Sequence, residues 1–111
     1  MKIEIDIPDK KIEEMAKGIM ENFPENAVCL RCTSWKYDKG VFKFYDEEED
    51  KEYTVTTKDI EKILPQFISK CFQGKYKFFG DNFNIFDLGN WDCWPIDGIV
   101  QEVIFGDVIY G

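Results

Sequence analysis

The sequence contains no histidine, so the imidazole group that most often serves as a general base or metal ligand is absent. No apolar run reaches the roughly 18 residues that a membrane span requires. The alternating charged and apolar residues of Met1–Asp6 also lack the apolar block of a signal peptide. These absences predict a cytoplasmic protein without a membrane segment, and the four cysteines are then expected to be thiols.

Recognisable catalytic motifs are missing as well. The sequence has no P-loop, no dinucleotide-binding glycine motif and no spaced aspartates of an EF-hand loop. So acidic a chain could supply two carboxylates for acid–base chemistry, but nothing singles out a pair. The sequence therefore favours a protein that is not an enzyme and needs no cofactor, with a small carboxylate-based enzyme as an alternative.

Positive charge is scarce, and it is unevenly placed. The 111 residues carry a net charge of −8, and the stretch after Lys77 has six acidic residues and no basic one. Such a balance disfavours direct binding to nucleic acid, which depends on lysine and arginine. It suits a protein partner with a basic surface, because complementary fields speed and orient encounter. The alternative is that the charge serves only solubility.

Two amphipathic helices and several strands follow from hydrophobic periodicity. A helix is predicted from Pro8-Asp9 to Pro24, and a second from its cap at Thr57 to Gly74. Pro65 is expected to kink or split the second helix. Period-two alternation predicts an N-terminal strand over residues 3–7 and a three-strand meander over 27–37, 41–45 and 52–56.

The most apolar stretch is Ile96 to Gly111, which is predicted to be the helix at the centre of the core, with Gly106 as a weak point inside it. Residues 75–79 are predicted to form a short strand or an extended link, and residues 80–95 a loop that packs through its apolar side chains. The expected fold over residues 1–111 is a single α+β domain. It consists of a mainly antiparallel sheet with helices packed on one face and the apolar C-terminal helix central.

Two candidate partner-binding sites stand out. The first is the run of five adjacent acids, which is expected to form an exposed turn: Asp46, Glu47, Glu48, Glu49 and Asp50. The second is the aromatic loop with Trp91, Asp92 and Trp94, because tryptophan is enriched at protein interaction hot spots. Trp35 is a further aromatic candidate, and for all three tryptophans core packing is the competing interpretation.

A metal-binding structural module is the alternative function. Its ligands would be the four thiols, Cys29, Cys32, Cys71 and Cys93. The Cys29–Cys32 pair lies in a predicted strand, where its side chains would point to opposite faces, so ordinary thiols are the simpler interpretation. The Asp- and Asn-rich segment 81–92 could ligate calcium, but its alternating apolar residues are equally typical of a packed loop.

The two ends of the chain carry a resemblance. Ile5-Asp6-Ile7-Pro8-Asp9 before an amphipathic helix, and an apolar ending in Phe105-Gly106-Asp107-Val108-Ile109-Tyr110-Gly111, resemble small acidic uncharacterised proteins encoded by phages and prophages. That resemblance covers about the first and last fifteen residues of this sequence. It implies an accessory protein of a mobile element and supplies no active-site residues.

Overall fold

Three helices and three strands make up the described part of the chain. The computed structural model describes residues 7–26, 34–47, 49–76, 85 and 87–108, with the backbone alone at 24–26. The elements follow in the order α1 (Asp9–Asn26), β1 (Ser34–Asp38), β2 (Val41–Asp46), β3 (Lys51–Thr56), α2 (Thr57–Phe72), a 3-10 turn (Leu88–Asn90) and α3 (Cys93–Phe105). They form one α+β domain, as predicted. The predicted N-terminal strand, apart from Ile7, and the predicted start of β1 at 27–33 lie outside the described residues.

The predicted meander is confirmed as an antiparallel sheet in the order β1-β2-β3. The β1–β2 connection is the two-residue turn Lys39-Gly40, and both residues have positive φ, 49° and 79°. Two-residue turns of this kind match the twist of hairpin strands, and glycine suits the second position. Alternation along the strands buries one face only, through Phe42, Phe44, Tyr53 and Val55.

The helices cover this buried face of the sheet. The ring of Phe23, near the end of α1, lies 5.3 Å from that of Phe42 and 5.6 Å from that of Phe44, centroid to centroid. At the other end, Phe105 of α3 lies edge-on to Tyr53 at 5.8 Å. Helix α2 packs against both α1 and α3. No helix in the described ranges combines the length and the apolar character needed to cross a membrane.

Helix α3 is central, as predicted. Every residue from Pro95 to Glu102 is buried, which is possible only because α1, α2 and the sheet surround it. Its predicted extent was wrong at both ends, because α3 begins at Cys93 and ends at Phe105. Gly106 adopts a left-handed conformation with φ 79°, and its N–H donates to the Glu102 carbonyl at 2.9 Å. It is therefore the C-terminal cap rather than a weak point inside the helix.

Neither internal proline ends its helix. Helix α1 continues past Pro24 to Asn26, and α2 runs unbroken through Pro65. The prediction that Pro24 ends the first helix was therefore wrong, and so was a split at Pro65. In α2 the residues on both sides of the proline, Leu64, Phe67 and Ile68, are fully buried. Tertiary packing of this apolar face outweighs the lost backbone hydrogen bond.

The start of α2 gives a stability prediction. The cap is Thr56 rather than the predicted Thr57: its hydroxyl accepts from the Asp59 N–H at 3.1 Å, and the Asp59 carboxylate accepts from the Thr56 N–H at 2.9 Å. We expect Thr56→Ala to lower the free energy of unfolding by about 1 kcal/mol in urea denaturation. Thr57→Ala is the matched control, because its hydroxyl makes only a 3.3 Å bond to the Gly40 carbonyl. An equal loss in both variants would contradict the assignment.

Candidate functional site

The acidic run forms the turn between β2 and β3, but one of its members is not exposed. Asp46 ends β2 with only 6% of its surface accessible, and its Oδ1 accepts from the Glu49 N–H at 3.2 Å. The prediction of an exposed run was therefore wrong for Asp46, whose carboxylate fixes the turn. Glu48 lies outside the described residues.

The other described acids of the turn face water. Glu47, Glu49 and Asp50 are exposed, and Glu52 continues the acidic surface on β3. Asp50 has a φ of 50°, a conformation that aspartate tolerates better than most residues. The Tyr45 hydroxyl donates a hydrogen bond to Asp50, and this bond raises the pKa of Tyr45. We name these exposed carboxylates, Glu47, Glu49, Asp50 and Glu52, the acidic turn.

Trp91 is a core residue, which favours core packing, the competing interpretation, over the predicted role in partner binding. Only 5% of its surface is accessible, and its ring lies 5.6 Å from that of Phe67. Its indole N–H donates to the Ile85 carbonyl at 2.8 Å, so the only polar atom of this buried side chain has a hydrogen-bond partner.

Asp92 and Trp94 remain at the surface, at the start of α3. Asp92 is the N-terminal cap of the helix, and its Oδ1 accepts from the Trp94 N–H at 3.0 Å. The Trp94 side chain is 47% exposed. Trp35 of β1 is more exposed still, at 55%, although its ring stacks on that of Phe42 at 5.8 Å.

The two predicted binding sites do not come together. Phe105, the last residue of α3, contacts Tyr53, which lies two residues from the β2–β3 turn. Trp94 lies at the opposite end of the same 13-residue helix, and at 1.5 Å per residue these ends are about 17 Å apart. The acidic turn and the Trp94 surface are therefore separate.

The structure gives no support to the four-thiol metal site. Cys29 and Cys32 lie outside the described residues, while Cys71 and Cys93 are half-buried thiols. Across the described ranges, no three potential metal ligands of the His, Cys, Asp or Glu type come together. Burial, with a contribution from the charge of Glu102, raises the pKa of Cys71 to about 12. A metal would need the thiolate, which this environment disfavours.

The raised pKa of Cys71 predicts a loss of stability in alkali. The folded protein keeps the thiol proton up to about pH 12, whereas an unfolded cysteine loses it above about pH 8.5. Stability is therefore full at neutral pH and falls as the pH rises through this window. The difference in proton affinity is worth about 2 kcal/mol at pH 10, and solvent screening of the half-buried thiol reduces this to about 1 kcal/mol. Urea denaturation at several pH values measures the slope, and Cys71→Ser should flatten it. An unchanged slope in that variant would assign the effect to another group.

The structure also contains a buried polar cluster that the sequence did not reveal. Glu102 of α3 has a fully buried side chain, and its Oε1 accepts from Lys70 Nζ at 2.5 Å and Gln66 Nε2 at 2.7 Å, both on α2. Its Oε2 is buried and has no hydrogen-bond partner among the residues that the structure describes. Nearby, the Tyr76 hydroxyl donates to Asp107 Oδ1 at 2.7 Å, and burial followed by this bond raises the pKa of Tyr76.

These pairings join residues more than thirty positions apart, so no local sequence pattern could have indicated them. The cluster links α2 and the segment that follows it to α3 and the residue after its cap. The Lys70 side chain is 22% exposed and that of Glu102 is inaccessible, so the arrangement is typical of a structural ion pair.

Searches for similarity leave the chain without a match among protein-family models, curated proteins or solved structures. Its function is therefore inferred from its own residues.

Proposed function

We propose that this protein is a non-catalytic binding protein that docks onto the basic surface of a protein partner through the acidic turn. The observation that carries the proposal is the group of exposed carboxylates at one end of the sheet, on a connection whose shape is fixed by the buried Asp46. A pre-shaped turn loses little conformational freedom when it binds, which favours affinity.

The glutamates are not needed to make the turn. Asp46 supplies the bond that closes it, and the Tyr45 hydroxyl donates a further bond to Asp50. Glu47 and Glu49 form no ion pair with any residue that the structure describes. Adjacent like charges repel one another, so their clustering favours a role in attracting positive charge rather than one in folding.

The expected interaction is steered by charge. Exposed carboxylates raise the rate of encounter with a basic surface, and added salt screens that attraction. Trp94 and Asp92 form a separate surface at the far end of α3, where an exposed tryptophan could serve as a second contact. The proposal includes a cytoplasmic location and, from the resemblance of the chain ends, a role as an accessory protein of a mobile element.

A charge-reversal capture experiment tests the acidic turn. The wild-type chain and the variant Glu47→Lys/Glu49→Lys would be immobilised and used to capture proteins from a bacterial lysate at low and high salt. We expect the wild type to retain a defined basic protein at low salt only. The variant should lose most of that binding, because two attractive charges become repulsive.

The matched control is Glu14→Lys/Glu21→Lys, which makes the same charge change on the exposed side of α1. This control should retain the partner. Equal loss in both variants would show a dependence on net charge alone, and equal retention by the acidic-turn variant would refute the site.

A further inference from the structure

The open face of the β1–β2 hairpin carries a concentration of positive charge in an otherwise acidic chain. Lys36 of β1 pairs directly with Lys43 of β2 in the sheet register. Their side chains lie on the face opposite the one that the helices cover, since the alternating residues Phe42 and Phe44 are buried. Lys39 stands in the adjoining turn. We name these three residues, Lys36, Lys39 and Lys43, the lysine pocket.

The three lysines surround a real concavity. A shallow pocket of about 320 Å³ is lined by Lys36, Lys39, Lys43, Asp38 and Val41. Its volume lies at the lower end of the roughly 300–1,000 Å³ that is usual for small-ligand sites. A ligand there would rest against Val41, with ammonium groups around it and one carboxylate at the rim.

The arrangement is unfavourable for the protein alone. Like charges directly opposite each other on neighbouring strands destabilise a sheet. None of the three lysines forms an ion pair within the described ranges, although the chain has 22 acidic residues. An anion bridging the three ammonium groups would remove this repulsion, and phosphate is the anion that lysine commonly binds as a point charge.

Asp38 narrows the class of ligand. Asp38 is exposed and lines the pocket, and its carboxylate accepts hydrogen bonds but would repel a bare anion. A ligand carrying both a phosphate group and a hydroxyl satisfies both parts of the pocket: the phosphate faces the lysines, and the hydroxyl donates to Asp38. Glu52 of the acidic turn pairs with Tyr45, two residues along β2 from Lys43, and is a diagonal neighbour of Lys43 on the same face of the sheet, so it likewise disfavours a bare anion.

We infer that the lysine pocket binds a small phosphate monoester that carries a free hydroxyl group, such as a sugar phosphate. This site shares no residue with the acidic turn. The inference rests on the register that places Lys36 opposite Lys43, on the absence of acidic partners for them among the described residues, and on the position of Asp38.

Titration of the full chain with ribose 5-phosphate, followed by backbone amide NMR shifts, tests the site. Inorganic phosphate and ribose are titrated separately as controls, because each represents one part of ribose 5-phosphate. We expect saturable shifts confined to residues 36–43, with weaker binding of phosphate and none of ribose. Lys36→Gln and Lys43→Gln should each weaken binding about tenfold, as the loss of a charged hydrogen bond does. Lys17→Gln, the same charge change on exposed α1, should leave it within about twofold.

Asp38→Asn separates the proposed geometry from general attraction to positive charge. The variant should bind inorganic phosphate more strongly, because a repulsive charge is removed. The preference for ribose 5-phosphate over inorganic phosphate should decrease, because the charged acceptor for the ribose hydroxyl is lost. Shifts that never saturate, or equal losses in Lys17→Gln, would overturn the inference. So would ligand-free shifts that grow with protein concentration, because they would mean that the acidic turn of a second copy occupies the pocket.

Discussion

Replacing Lys70 with methionine is expected to lower the free energy of unfolding by about 3 kcal/mol. The substitution removes the cation 2.5 Å from the fully buried Glu102 and leaves a buried charge without its partner. Loss of one member of a buried ion pair costs about 3–5 kcal/mol, and the lower end applies because the Lys70 side chain is 22% exposed. Urea denaturation at neutral pH, followed by circular dichroism, measures the change.

The double variant Lys70→Met/Glu102→Met is the decisive comparison. It removes both charges and fills similar volume with apolar groups, so stability should return to within about 1 kcal/mol of the wild type. Gln66, the other partner of Glu102, is exposed and can turn to water. A double variant at least as unstable as Lys70→Met would show that the pair contributes more than charge compensation.

Substituting Trp91 with alanine is expected to cost about 3–5 kcal/mol, the range for removing a large aromatic side chain from a core. The loss combines the contact with Phe67, the cavity left behind and the indole hydrogen bond to Ile85. Thermal unfolding of the variant should show a clearly lower midpoint, because this loss is a large part of the roughly 5–15 kcal/mol by which domains are normally stable.

Trp94→Ala is the matched control, since Trp94 is a tryptophan three residues away with a 47% exposed side chain. Its effect on stability should stay within about 0.5 kcal/mol, as for most surface positions. Similar losses in the two variants would contradict the assignment of Trp91 to the core and Trp94 to the surface.

The contrast between these two tryptophans shows where sequence reasoning stopped. The main helices and strands followed from hydrophobic periodicity, because each has one buried face and therefore a repeating pattern. Residues 75–95 have no such period. Whether a side chain of this segment is buried depends on contacts with residues far away in the sequence, such as the contact of Trp91 with Phe67 of α2.

The ends of elements were harder to predict than their existence. Thr56 and Thr57 could each cap α2, and the geometry of the incoming strand decides for Thr56. From the sequence, Gly106 could lie inside the helix or at its end, and the residues next to it do not decide between these two positions. The burial of Glu102 could not be predicted for a different reason. Its carboxylate is tolerated inside the protein because Lys70, on helix α2, pairs with it.

For the candidate sites, the sequence identified the acidic turn but not the structural role of Asp46 within it. A run of five acids predicts exposure for all of them, and the one that closes the turn is distinguished only by its 3.2 Å bond to the Glu49 N–H. The lysine pocket was missed because its members are spread over eight residues. They form a group only once the register places Lys36 opposite Lys43.

The burial of α3 on all sides bears on how the protein is made. Helices α1 and α2 present apolar faces that α3 covers, yet the ribosome adds α3 only after both of them. From the end of α1 to the end of α3, synthesis at about 5–20 residues per second takes roughly 4–16 s. During that interval, the part of the apolar surface of α1 and α2 that α3 covers in the folded protein stays open to water.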